Sequence, residues 1–266
     1  MKVLYTAAHA GASPTVPIGG GGAICRLLRE EWARTTPFKF EVVGPEEERA
    51  EDLVHMDKSD YAGFCHRFRQ YSTNRILSED PASCIVLVND ISEGPDFAML
   101  ARHGYRVVTI WHVDVVAYVA RRYLGGWLQP WTLTKWIKPW EKRLPRIAQL
   151  VFSQQRACVE HSRAHVVMTE AMKSTILRCY PAEAKGAGIC VIPWGAPPHE
   201  GQGMRKESIG PVLLTMSRIS PEKGLDRFLK ALVAWQDWES VVLDPSVQVP
   251  FGTKAMICGD AAFMKG

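Results

Sequence analysis

Seven short apolar runs, separated by longer stretches, constrain most strongly what this chain can fold into. The runs are rich in Val, Ile and Leu with little polar alternation, a pattern typical of parallel strands that are covered on both faces. They lie at Lys2–Ala8, Lys39–Val43, Cys84–Asn89, Arg106–Trp111, Ala164–Met168, Gly188–Ile192 and Val212–Ser217. Several of the intervening stretches repeat apolar residues at helical spacing. This alternation predicts an α/β fold with a parallel sheet.

The stretch Pro193–Gly210 is rich in proline and glycine and has almost no apolar residues after Pro198. This composition predicts a linker, with a domain boundary near residue 200. Residues 1–200 are expected to form a Rossmann-like N-terminal domain. Residues 201–266 supply the linker, one strand, one helix and a second strand at Ala255–Cys258, too few to bury a core of their own. We expect them to be the truncated start of a second Rossmann-like domain.

The chain carries a net charge of +4, and its basic residues are widely spread. This distribution argues against nucleic-acid binding, which usually needs a concentrated basic face, but suits anionic ligands such as sugar nucleotides. The seven cysteines form no C-x-x-C pair, which favours buried free thiols in a reducing compartment over zinc or disulfides. There is no secretory signal and no apolar run of about 20 residues. A cytoplasmic protein is expected, with peripheral contact at the inner membrane face left open.

A glycine-rich loop, Pro17-Ile18-Gly19-Gly20-Gly21-Gly22, follows the first predicted strand. Glycine lets a backbone approach a ligand closely, and the N-terminus of the following helix offers free N–H donors that suit a phosphate. The spacing matches neither the dinucleotide-binding fingerprint, because Cys25 takes the third glycine position, nor a P-loop. Gly19, Gly20 and Gly21 therefore either bind a phosphate or form a plain turn.

A second motif, Ser217–Asp226, follows the last of the seven runs. Pro221 and Glu222 fit the start of a helix, with Ser220 as its N-cap. Arg218 offers a planar fork of donors and Lys223 a compact charge on either side of this turn. Two cations beside a helix N-terminus suit a diphosphate, although a solvated basic turn would look the same.

The segment Ser217–Asp226 resembles the S-R-x-x-x-x-K-G-x-D segment of retaining GT-B glycosyltransferases of glycosyltransferase family 4, and the resemblance continues in family order along the whole chain. It implies a GT-B fold, with an acceptor-side N-terminal domain and a donor-binding C-terminal domain. Arg218 and Lys223 would contact the donor diphosphate. The family's P-x-G-G loop, which faces the donor phosphates and sugar, corresponds to Pro17, Gly19, Gly20 and their neighbours.

Two further segments are similar to parts of this family. Val107–Asp114 resembles the strand that precedes a histidine at the cleft, which implies that the catalytic residue His112 lies near the donor sugar and the acceptor. Ala164–Glu170 resembles a strand that many members follow with a serine and an acidic residue. Asn89–Pro95 also follows a predicted strand, and it either lines the cleft or caps the next helix. The candidate cleft residues are Asp90, Glu93, Asp114, Thr169 and Glu170.

One departure from the family concerns two glutamates that its members place eight positions apart, late in the C-terminal domain. Nothing after Lys223 supplies such a pair, and Glu239 has no partner. We therefore expect a truncated piece of the donor domain. Whether this chain catalyses transfer by itself is left open.

Four tryptophans stand among basic residues in the segment Tyr123–Arg143. Tryptophan prefers boundaries between apolar and wet surroundings, and neighbouring cations attract anionic head groups. One interpretation is a surface for peripheral membrane contact or a lipid acceptor, and the other is ordinary packing between helices. The tryptophans are Trp127, Trp131, Trp136 and Trp140.

The resemblance implies transfer of a sugar, with retention, from a nucleotide-sugar donor to a hydroxyl of a glycan, lipid or small molecule. The charge that grows on the leaving diphosphate would be stabilised by Arg218, Lys223 and helix N-termini. No metal and no cofactor are expected. The alternatives are a sugar-nucleotide epimerase, which needs no acceptor, and a non-catalytic binding module derived from the GT-B fold. The poor glycine fingerprint argues against a nicotinamide-dependent oxidoreductase.

Overall fold

The computed structural model describes residues 1–8, 20–45, 56–194, 212–216, 224–234 and 254–258. The chain divides into two compact units, Met1–Gly195 and Ala196–Gly266. The first unit is an α/β domain with a six-stranded sheet, which confirms the predicted fold class. Its strands are β1 (Lys2–Thr6), β2 (Lys39–Val43), β3 (Cys84–Val88), β4 (Val107–Trp111), β5 (Ala164–Val167) and β6 (Gly188–Val191).

The six strands are all parallel and lie in the order β2-β1-β3-β4-β5-β6. From β1 the chain moves outward to β2, then returns to β3 on the other side of β1 and continues outward in the opposite direction. The neighbours β1 and β3 thus mark a topological switch point. In open parallel sheets ligands bind in the crevice outside the carboxyl ends of the strands at such a point.

Helices connect the strands as the parallel topology requires. They are α1 (Gly20–Thr35), α2 (Lys58–Leu77), α3 (Phe97–Arg102), α4 (Val115–Tyr123), α5 (Pro130–Ile137), α6 (Arg146–His161) and α7 (Glu170–Cys179). Two 3-10 helices, Lys138–Arg143 and Glu183–Gly186, lie among them. Pro130 and Pro139 stand in the first turns of α5 and of the first 3-10 helix, where a missing N–H costs no hydrogen bond.

The sheet is covered on both faces because alternate side chains of each strand point to opposite sides. Leu4 and Val86 face one cluster, which includes Val159 of α6 together with residues of α2, α3 and α7. Their neighbours Val3 and Leu87 face the other cluster, to which α1 contributes. Burial on both faces explains why the strands read as continuous apolar runs.

The second unit contains β7 (Val212–Met216), α8 (Leu225–Ala234) and β8 (Lys254–Cys258), and its two strands pair in parallel. The chain enters α8 through Gly224, whose φ of 65° is the left-handed conformation that glycine adopts without strain. All seven predicted strands and the eighth at Ala255–Cys258 are confirmed. Several predicted strands run one or two residues past the carboxyl ends that the structure shows, because the chain stays apolar there after it has left the sheet.

Candidate functional site at the carboxyl edge of the sheet

Asn89 lies at the switch point, directly after β3, and connects three strands. Its backbone N–H donates to the carbonyl of Thr6 at the end of β1, at 3.0 Å. Its side-chain Oδ1 accepts from the hydroxyl of Tyr5 on β1 and, at 2.8 Å, from Nε2 of His112, which follows β4. Asn89 is only 1% exposed. The pairing of these parallel strands therefore brings one amide and one imidazole together where a ligand is expected.

His112 is half-buried and held by two neighbours. Because an amide oxygen can only accept a hydrogen bond, the contact with Asn89 assigns a proton to Nε2. The imidazole also stacks on the indole of Trp194, with ring centres 5.2 Å apart and planes 12° apart. Trp194 follows β6. These contacts fix both the tilt and the rotation of the imidazole.

Several buried polar atoms beside this pair make no hydrogen bond within the described part of the chain. They are Oγ1 of Thr6, Nδ2 of Asn89 and Oδ2 of Asp90. Buried polar groups in folded proteins are almost always hydrogen-bonded. Buried hydrogen-bond donors and acceptors of this kind, at the end of a sheet, can bind a polar ligand such as a sugar or a phosphate.

Helix α1 packs on the sheet next to these atoms. Cys25 of α1 lies in the same cluster as Tyr5 and Leu87. Burial, and then the nearby carboxylate of Asp90, raises the pKa of Cys25 to about 11, so its thiol stays protonated. Of the predicted phosphate loop, Gly20 and Gly21 form the first positions of α1, where backbone N–H groups lack helical partners. Gly19 lies outside the described residues.

Asp114 supports the turn after His112. Its Oδ1 accepts from the N–H of Ala117, which caps α4, and from Nε2 of Gln155 at 3.1 Å. It is 6% exposed, and burial raises its pKa. Glu93 is likewise buried and accepts from the hydroxyl of Tyr61 on α2. Both carboxyl groups stabilise loops that leave the carboxyl edge.

Thr169 and Glu170 follow β5 at this same edge, and both are exposed. The hydroxyl of Thr169 accepts from the N–H of Met172 at 3.1 Å, so its described role is the N-cap of α7. Glu170 lies in the first turn of that helix, where a carboxylate stabilises the helix dipole. The structure therefore brings together His112 with the Asn89–Asp90 turn, and it gives Thr169 a local capping role.

Arg218 and Lys223 lie outside the described residues, and the diphosphate contacts assigned to them stay predictions. In the described ranges no three side chains of the His, Cys, Asp and Glu types are grouped as a metal ion would need. None of the helices described here is long and apolar enough to cross a bilayer.

The sequence singled out neither Tyr5 nor Trp194 as part of this site. The contacts of both depend on which strands become neighbours, and local spacing does not carry that information. A usable signal was present for Trp194, because a large aromatic residue between Pro193 and Gly195 closely follows the apolar run Gly188–Ile192.

Comparisons with known proteins give weak structural likenesses. No protein-family model and no curated protein matches the chain. Apo UGT2 of Phytolacca americana aligns over 98% of this chain and 73% of its own, at 8% identity and a TM-score of 0.48. UGT71G1 of Medicago truncatula, complexed with UDP-glucose, aligns over 98% and 72%, at 9% identity and a TM-score of 0.47.

A third match is a UDP-glucosyltransferase from Polygonum tinctorium that is capable of glucosylating indoxyl, in complex with 3,4-dichloroaniline. It aligns over 97% of this chain and 70% of its own, at 12% identity and a TM-score of 0.46. At these values the likenesses assign neither an activity nor a residue role to this chain.

Proposed function

We propose that this chain belongs to a GT-B glycosyltransferase and takes part in moving a sugar from a nucleotide-sugar donor to a hydroxyl acceptor. The observation that carries the proposal is the pairing of His112 with Asn89 at the switch point of a parallel sheet. This is the position where such folds bind nucleotides and their substrates. The resemblance of Ser217–Asp226 to a diphosphate-binding segment supplies the donor half of the proposal.

His112 positions the reacting sugar in this scheme. Its Nε2 donates a hydrogen bond to Asn89, which holds the imidazole at the carboxyl edge of the sheet, where the sugar would bind. The stack on Trp194 restricts the ring to one plane. A positioned ring of this kind contributes by orientation, because reacting groups that are already aligned lose less entropy on the way to the transition state.

Arg218 and Lys223 stabilise the leaving diphosphate. As the bond to the sugar breaks, negative charge grows on the phosphate oxygens, and fixed cations and helix N–H groups lower the energy of that state. The backbone N–H groups of Gly20 and Gly21, in the first turn of α1, suit the same anion. This scheme uses no metal and no cofactor, and by resemblance to family 4 the anomeric configuration is retained.

The test is an assay of the full chain with nucleotide sugars that differ in base and sugar, each with and without hydroxyl acceptors. We expect acceptor-dependent release of a nucleoside diphosphate and a product with the donor's anomeric configuration by NMR. His112→Ala should lower the rate at least tenfold, while His66→Ala, an exposed histidine of α2, serves as the matched control. Inversion would remove the family 4 assignment.

Two other outcomes of this assay would favour the alternative functions. Conversion of the nucleotide sugar without any acceptor would identify an epimerase. Tight binding of the nucleotide sugar without turnover, by a folded chain, would identify a binding module. Neither binding nor turnover with any nucleotide sugar would contradict the proposal as a whole.

A further inference from the structure

The segment between β4 and β5 contains more structure than the connection needs. A single helix suffices to cross from one parallel strand to the next, and α6 does this. Before it, the chain forms α4, α5 and a 3-10 helix, which pack on one another and on α6. A small apolar cluster holds them together; its buried members are Val116, Ala120, Leu133 and Phe152.

This helical insertion exposes four large aromatic side chains to solvent. Tyr123 is 63% exposed, Trp127 75%, Trp136 61% and Trp140 57%. Several large aromatic side chains that stay exposed within one short insertion indicate a binding surface. Trp127 follows Gly125 and Gly126, whose φ values of 60° and 76° form a tight turn that presents the indole at the end of α4.

The exposed charged side chains of this insertion are all positive. Within residues 115–143 the one carboxylate is Glu141, and it is buried in an ion pair with Arg156 at 2.6 Å. Lys138 is paired with Glu183 at 2.9 Å. Five exposed cations remain beside the aromatic residues: Arg121, Arg122, Lys135, Lys142 and Arg143. We call these five cations, with Tyr123, Trp127, Trp136 and Trp140, the aromatic–basic surface.

Trp131, the remaining tryptophan of the segment, lies in a different environment. It packs against the main core, and the guanidinium of Arg178 lies over its ring at 3.2 Å from the ring centre. One tryptophan of this insertion is therefore packed against the core, whereas the other three are exposed to solvent.

We propose that the aromatic–basic surface binds the anionic face of a lipid bilayer. Indole rings settle at the level of lipid head groups, where one part of the ring is apolar and the N–H is wet. Lysine and arginine next to them are attracted by the negative surface potential of acidic lipids. The short helices and the exposed turn suit contact with the bilayer surface. The combination of uncovered indoles and unpaired cations favours a bilayer over an acidic protein, which would not need three indoles.

The experiment is co-sedimentation of the full chain with vesicles of phosphatidylcholine alone and of phosphatidylcholine with phosphatidylglycerol. We expect binding only to the anionic vesicles, weaker at high salt. The triple change Trp127→Ser, Trp136→Ser and Trp140→Ser should lower the partition at least tenfold. A set that neutralises Arg121, Arg122 and Lys142 to Gln should do the same. The matched control neutralises the exposed cations Lys39, Arg67 and Arg102 to Gln and should leave binding unchanged.

A second measurement needs no variant. Brominated acyl chains quench indoles that enter the bilayer, so they should quench part of the fluorescence of the unaltered protein. No binding to anionic vesicles, equal loss in the control set, or binding to an acidic polypeptide but not to vesicles would each overturn the proposal. Membrane binding and sugar transfer are separate, because the assay in solution can succeed or fail whatever the vesicles show.

Discussion

His112 donates from Nε2 to Oδ1 of Asn89 at 2.8 Å, across two neighbouring strand ends of a parallel sheet. The same oxygen accepts from Tyr5 on the strand beyond. One buried amide thus ties the ends of β1, β3 and β4 together. A rigid edge of this kind can hold an imidazole in place before any ligand arrives.

Replacing Asn89 tests this relationship directly. Asn89→Leu removes the acceptor and leaves the buried hydroxyl of Tyr5 unpaired, which should lower the free energy of unfolding by about 1–3 kcal/mol. The Nε2–H signal of His112 in nitrogen–proton NMR should broaden or vanish as the ring loses its partner. Asn89→Asp keeps an acceptor oxygen and should keep the signal. A sharp, unshifted signal in Asn89→Leu would contradict the geometry.

His165 should make the fold sensitive to acid. It is fully buried, its Nδ1 lies 3.2 Å from the indole Nε1–H of Trp111, and burial lowers its pKa to about 4. The folded imidazole stays neutral where the unfolded one, with an ordinary pKa near 6.5, takes up a proton. Stability is therefore lost as pH falls through the window between these two values, by about 3 kcal/mol in total.

The measurement is urea unfolding at several pH values between neutrality and the onset of acid denaturation. His165→Gln cannot take up this proton, so its stability should fall less steeply in the window from about pH 6.5 to about pH 4. Parallel curves for the two proteins would show that this imidazole does not control the acid response.

Arg156 joins two buried carboxylates, Glu141 and Glu183, and all three side chains are at most 11% exposed. Arg156→Met leaves both carboxylates without their main partner and should cost about 3–5 kcal/mol in thermal or urea unfolding. Lys138 contacts the same Glu183 but is 57% exposed, which makes Lys138→Met the matched control. The control should change stability by less than about 1 kcal/mol. Equal effects would mean that burial of the cluster does not matter.

Gly94 belongs to the turn that also contains Asp90 and Glu93. A Cβ added there would lie 2.9 Å from the ring of Phe97 and 3.0 Å from the carbonyl oxygen of Asp90. Gly94→Ala should therefore force the turn to shift and destabilise the fold by about 1–3 kcal/mol. At Gly186 a Cβ meets nothing within 4 Å, so Gly186→Ala should be nearly neutral in the same melting experiment. Equal melting temperatures for the two variants would contradict this packing.

Much of the fold could be predicted because its signal is local. Burial on both faces makes the central parallel strands continuous apolar runs, and the apolar runs of the sequence located β1 to β7. The site was harder to predict from the sequence. The sequence proposed His112 through a resemblance, but the hydrogen bond from Tyr5 and the stack on Trp194 depend on strand order and register.

The structure gives two of the predicted cleft residues a local role that the sequence analysis did not assign to them. Asp114 and Thr169 stand where a polar residue follows a strand, which fits both a ligand contact and a helix cap. The structure shows the caps, because each side chain accepts from an N–H in the first turn of its own helix. Only coordinates distinguish these uses, since both place the same residue type after a strand.

The central proposal is that this chain binds a nucleotide sugar and that Arg218 and Lys223 contact its diphosphate. Isothermal titration with the diphosphate sugars of uridine, guanosine and adenosine tests it most directly. The account predicts that at least one of them binds. Arg218→Ala and Lys223→Ala should each weaken this binding about tenfold or more, while His66→Ala should leave it unchanged. Absence of binding by the folded chain, or equal affinity in all three variants, would contradict it.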